Sequence, residues 1–188
     1  MNELCSEEEI TQLLQAVQSD NGNDVAAIDT LLEEYPQDPR LHFLRGSVLA
    51  SGNRLVEAYE SMQQAVEIAP DFVIARFQLG FFELSSGNAQ SAMGNWKPLE
   101  DLPEDHYIRR FVRGLVHMIH DEFDSAITEL RQGIALNQEN PPLNHDMQLI
   151  IDKTADLASS AEQGSKSEQA ISSTSALLNQ FPGPKTKH

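Results

Sequence analysis

The sequence predicts an all-α chain of antiparallel helix pairs, closed by a C-terminal capping helix and followed by a disordered tail. Three columns of residues carry that expectation. Gly46, Gly80 and Gly114 stand 34 residues apart, as do Ala58, Ala92 and Ala126, and as do Phe43, Phe77 and Phe111. One fixed period in independent columns means a structural unit that is repeated and that buries its apolar face against its neighbours. Aromatic residues make up only 6% of the chain, which favours helices over sheet.

The elements follow in order. Ser6 and Glu9 form a capping box that opens a helix running to about Gln18. Asn21-Gly22-Asn23 turns the chain. Asp24 caps a second helix, whose Val25, Ile28, Leu31 and Leu32 share one face, and Pro36 ends it. Residues 1–36 thus read as a degenerate helical hairpin. Three full units follow over 37–140, at 37–70, 71–104 and 105–140. In the first, RLHFLRGSVLASGNRLVEAYESMQQAVEIAP, Gly46 and Ala58 allow close helix approach. Gly52-Asn53 makes the turn and Pro70 blocks continuation. In the second, Gly94 and Pro98 interrupt the second helix, and Pro98 is expected to kink or end it. Ala65, Leu99 and Gly133 make an imperfect third small-residue column. Leu143, Met147, Ile150, Ile151, Thr154 and Leu157 suit one face of a capping helix from about 142 to 159, within a segment 141–160. The Ser-, Gln-, Gly- and Lys-rich stretch 161–188 reads as a disordered tail. Within it, Ile171, Leu178 and Phe181 have the spacing of one face of a short helix at 171–181 that would compete for the chain's own groove or that of a second copy, the alternative being a free tail with incidental hydrophobes.

The 34-residue unit, with glycine and alanine columns and a closing proline, resembles the tetratricopeptide repeat. The resemblance covers about residues 37–140. It implies a right-handed superhelical solenoid with the first helix of each pair on the concave side. Helix positions 2, 5, 9 and 12 of each unit then point inward. In the first unit these are Arg40, Phe43, Ser47 and Ala50. In the second and third they are Ile74, Phe77, Phe81 and Leu84, then Ile108, Phe111, Leu115 and Met118. Phe43, Ile74, Phe77, Phe81, Leu84, Ile108, Phe111, Leu115 and Met118 are therefore the expected lining of an apolar protein-binding groove. Chaperone-binding relatives hold a carboxylate with Lys, Arg and Asn at such positions. Phenylalanine at the fifth position of every unit argues against that clamp. His42, Arg76 and Arg110 replace the aromatic that the family places early in the first helix.

Charge narrows the partner. The formal net charge is −16, which disfavours nucleic acid and anionic membrane surfaces. Residues 1–36 hold nine acids and no Lys or Arg. Against that background Arg109, Arg110 and Arg113 form a local basic cluster. Pairing with Glu104, Asp105 or Asp121 explains it, and so would an anchor for an anionic ligand.

No residue pattern suggests catalysis. His117 and His120, with Asp121 and Asp124 nearby, have helical spacing for a metal, but no thiolate or third clustered ligand joins them. Cys5 is the only cysteine, in an expected frayed acidic terminus, where carboxylates raise a thiol's pKa. One cysteine makes no disulfide, and MNELCSEEEI lacks the apolar run of a secretory signal, so a cytoplasmic location is expected. The expected function is a non-catalytic scaffold or adaptor without cofactors, binding an apolar peptide or helix of another protein. The alternatives are a dedicated chaperone, similar in architecture to the small bacterial type III secretion chaperones, and a regulatory subunit of an enzyme complex.

Overall fold

The computed structural model describes residues 4–18 and 24–163, and among them the chain is helical with no strand. The order is α1 (Glu7–Gln18), α2 (Asp24–Glu34), α3 (Pro39–Ser51), α4 (Leu55–Ile68), α5 (Val73–Ser85), α6 (Ala89–Trp96), a 3-10 helix (Lys97–Asp101), α7 (Tyr107–Ile119), α8 (Phe123–Leu136) and α9 (Pro141–Gln163). The fold is an all-α solenoid of helix pairs. It consists of two compact units, the first running to Leu79 and the second starting at Gly80, inside α5.

In the first unit the capping box forms as the sequence predicts. The Ser6 amide donates to Glu9 Oε2 at 2.9 Å and the Glu9 amide donates to Ser6 Oγ at 3.2 Å. Cys5, Ile10, Leu13, Ile28 and Leu41 are buried together, so α1, α2 and α3 share one core. Cys5 is only 2% exposed, which corrects the expectation of a frayed terminus. The turn at 21–23 lies outside the described residues.

The repeat columns have one geometric meaning throughout. A Cβ on Gly46 would lie 2.9 Å from Met62 Cε. One on Gly80 would lie 2.3 Å from Trp96 Nε1, and one on Gly114 would lie 2.7 Å from Leu130 Cγ. Each glycine thus seats the side chain 16 residues downstream, on the second helix of its own pair. Ala58, Ala92 and Ala126 are all fully buried. The turns repeat as well. Asn53, Gly87 and Asp121, again 34 apart, have φ of 58°, 83° and 59°. The next amide closes each turn: Arg54 N donates to Leu49 O at 2.8 Å, Asn88 N to Glu83 O at 2.8 Å, and Glu122 N to His117 O at 2.9 Å. This is the left-handed cap by which a helix reverses, and glycine, asparagine and aspartate tolerate it best. In the first pair Asn53 provides the left-handed residue, while Gly52 has φ −79°.

In the second unit Pro98 acts as its chemistry requires. Helix α6 stops at Trp96 and the chain tightens into the 3-10 helix, which buries Leu99. Gly133 admits a ring, since a Cβ there would lie 2.4 Å from Phe111 Cδ1. Asn137, nearly buried, ties α8 to α9: its Nδ2 donates to Asn140 O and Asn144 Oδ1, both at 2.8 Å. Helix α9 then buries Leu143, Met147, Ile150, Ile151 and Thr154, the predicted face. Pro141-Pro142 open α9, where their missing amides cost no hydrogen bond. The helix runs on to Gln163, beyond the expected end near 159. Residues 164–188, with the expected helix at 171–181, lie outside the described part.

Candidate functional site

The inward columns divide by burial. Phe77, Ile108, Phe111, Leu115 and Met118 are fully buried and Leu84 is 1% exposed. Phe43, Ile74 and Phe81 remain half-buried. The third repeat shows the reason within the second unit. Phe111 fits over Gly133 of α8 and meets Tyr107 edge-on, with centroids 5.8 Å apart. Met118 meets α9, where the Thr154 hydroxyl reaches its sulphur at 3.7 Å. A side chain enclosed in this way has no surface left for a ligand. Of the nine expected groove residues, three keep surface that a partner can touch.

In the first unit Phe43 pairs with Phe72, ring centroids 5.3 Å apart and planes tilted by 55°. Phe72 was not among the sequence-derived candidates, although its column was legible. It stands 34 residues after Asp38 and 34 before His106, which are N-caps. The carboxylate of Asp38 accepts from the Arg40 amide, and the ring of His106 accepts from the Ile108 amide. Phenylalanine cannot accept such a bond. At the middle copy the cap is given up, and an aromatic ring joins Phe43 instead.

Asp38 also has a second role. It is fully buried, yet its Oδ2 accepts from the Cys5 amide at 3.0 Å and from Arg40 Nη2 at 2.7 Å. Burial alone would raise its pKa. The hydrogen bonds and charge of Arg40, with the Cys5 amide, outweigh that and hold the carboxyl below its ordinary value. Arg40 further pairs with Glu7 and the Cys5 carbonyl. An expected inward residue is thereby spent on fastening α1 to α3. The Cys5 thiol is pushed up to about 11, by burial first and then by Glu9. A thiol held protonated in this way is a poor nucleophile.

The basic cluster sits in the second unit. Arg109 pairs with Glu104 at 2.7 Å, and its Nη1 donates to Leu102 O at 2.7 Å. Arg110 lies 3.0 Å from Glu129 and 3.6 Å from Glu104. Arg113 lies 3.4 Å from Glu129 and 3.5 Å from Glu104. Of the anticipated partners Glu104 is confirmed, and Glu129 is an addition from α8 that no spacing within α7 could reveal. His117 pairs through Nδ1 with Glu122, and His120 through Nδ1 with Val116 O at 2.8 Å. The two rings are thus turned to separate partners, and no group of three metal-binding side chains occurs among the described residues. No described helix is long and apolar enough to cross a membrane.

This geometry defines the class of fold: an all-α solenoid of helix pairs with a 34-residue repeat that resembles the tetratricopeptide repeat. No protein-family profile matches the chain. The human protein O-mannosyl-transferase TMTC1 is 29% identical over 143 residues, covering 70% of this chain. The chain spans only 16% of the length of that relative. Among solved structures it is similar to PilW, a widely conserved type IV pilus biogenesis factor, with a TM-score of 0.62 and 21% identity. That likeness covers 84% of this chain and 73% of PilW. Repeat columns and fold together are similar to those of tetratricopeptide-repeat proteins.

Proposed function

We propose that this chain is a non-catalytic protein-interaction scaffold that receives an apolar segment of a partner protein. The observation that carries the reading is the half-buried Phe43–Phe72 pair of the first unit, in which Phe43 stands on an expected inward column. Where Phe111, the third-repeat equivalent of Phe43, is enclosed by its own chain, Phe43 and Phe72 are only partly buried. Aromatic anchors of this kind commonly dominate interface energy. The contact surface in the first unit is Phe43, Phe72 and Ile74, and Phe81 is a separate contact in the second. The repeat fold supports the general reading, since solenoids of helix pairs present extended binding surfaces.

The test compares two phenylalanines of the same column. Partners captured by the full chain are quantified for Phe43→Ala and Phe77→Ala, each checked by thermal melting. Phe43→Ala is expected to weaken capture by about 2 kcal/mol with little change in Tm. Phe77→Ala is expected to destabilise the fold by about 3–5 kcal/mol, because a fully buried ring leaves a cavity. A partner retained in full by folded Phe43→Ala refutes the proposed surface. The chaperone alternative adds a further requirement, that the captured client aggregates when this chain is withheld.

A further inference from the structure

We propose that Arg109, Arg110 and Arg113 form a subsite for a carboxylate side chain of the bound protein segment, held closed by Glu104 as an internal stand-in. The inference deepens the scaffold reading and rests on it.

The two carboxylates that neutralise the cluster are unlike each other. Glu129 projects from α8, is 13% exposed, and touches Arg110 and Arg113. It is a fixed base that positions the two guanidinium groups. Glu104 stands in the loop before α7, is 65% exposed, and alone touches all three arginines. Ion pairs this exposed hold weakly, so a second carboxylate can displace it at small cost. The arginines also have a donor to spare. Arg109 Nε is buried and has no hydrogen-bond partner among the described residues. Once the Glu104 side chain swings out, Arg110 and Arg113 keep Glu129 while Arg109 loses its carboxylate and keeps the Leu102 carbonyl, and the planar fork of arginine suits an incoming carboxylate in two-point contact.

The rest of the molecule selects the form of ligand. At a net charge of −16 the chain repels free anions at long range. A carboxylate carried on a segment already held by apolar contacts overcomes that repulsion locally. The subsite therefore recognises an acidic residue within an otherwise uncharged or basic peptide.

The experiment titrates the full chain with a Gly-Glu-Lys peptide blocked at both ends, which carries one carboxylate at zero net charge, following the Arg Nε–Hε signals by nuclear magnetic resonance. The Arg109 signal is expected to shift and saturate. Glu104→Gln is expected to bind the peptide about two- to fivefold more tightly, the gain from removing an exposed competing carboxylate. Glu67→Gln, an equal charge change at an exposed site in the first unit, is expected to bind as wild type does. Arg109→Gln is expected to abolish the effect, and Arg113→Gln provides the same comparison if Arg109→Gln fails to fold. An unmoved Arg109 signal, or equal affinity of the Glu104→Gln and Glu67→Gln variants, overturns the proposal. The probe carries no apolar group and Phe43 takes no part in the titration, so this result is independent of the aromatic surface.

Discussion

Single side chains decide where the helices of this chain touch. Gly80 is the tightest example, because a β-carbon there would sit 2.3 Å from the Trp96 indole nitrogen. The indole is itself only 1% exposed and cannot retreat into solvent. Gly80→Leu is therefore expected to lower stability by about 1–3 kcal/mol or more. An unchanged Tm would show that the α5–α6 contact is not the one described. Gly94, by contrast, has nothing within 4 Å of an added β-carbon, so Gly94→Ala serves as the neutral-to-stabilising control. Asp38 makes the other residue-scale prediction. Its pKa is held down in the fold, so the unfolded chain binds the proton more readily. The stability it contributes is present above the unfolded aspartate pKa of about 3.9 and is lost as pH falls below that. Denaturant unfolding between pH 7 and pH 3 is expected to show a loss that Asp38→Asn reduces, with Glu9 and Glu57, also held below their ordinary values, contributing the rest. The same acid sensitivity in both proteins would assign it to other carboxylates.

At the scale of elements, two features reshape the repeat. Pro98 ends α6 after 8 residues and hands the chain to a 3-10 helix, where other second helices of the repeats run to 14. The sequence shows this, because proline lacks the donor and collides with the preceding turn. Helix α9 is the second. Its inner face of Leu143, Met147, Ile150, Ile151 and Thr154 is buried, and Thr154 touches Met118. A chain stopped after Asn140 is expected to bare Met118 and its neighbours, lower Tm and bind a hydrophobic dye, as terminal repeats require a cover with a polar outer face. Retention of the full Tm without dye binding would mean that α9 is an appendage and not a cap. The expected helix was legible from its 3.6-residue pattern, whereas its continuation to Gln163 was not. Helix ends depend on local competition between fraying and weak contacts, which few residues mark.

At the scale of the molecule, the repeat period and the fold class were set by the sequence alone. Small residues recur every 34 positions because each pair must pass another helix closely at the same point, and no tertiary knowledge is needed to read that spacing. The left-handed turn column of Asn53, Gly87 and Asp121 was equally present in the sequence, written in the residue types that tolerate positive φ. What tertiary structure alone decided was which apolar side chains stay accessible. Phe43, Phe77 and Phe111 share one repeat position and one chemistry, yet Phe43 stays partly exposed and the other two are fully buried. A helical period says which residues share a face, and it is silent on what covers that face. Burial is settled by neighbours distant in sequence, such as Gly133 beneath Phe111 and Thr154 beside Met118. The pairing of Arg110 with Glu129 across α7 and α8 belongs to the same class of fact, since 19 residues of chain separate charges that only folding brings to 3.0 Å.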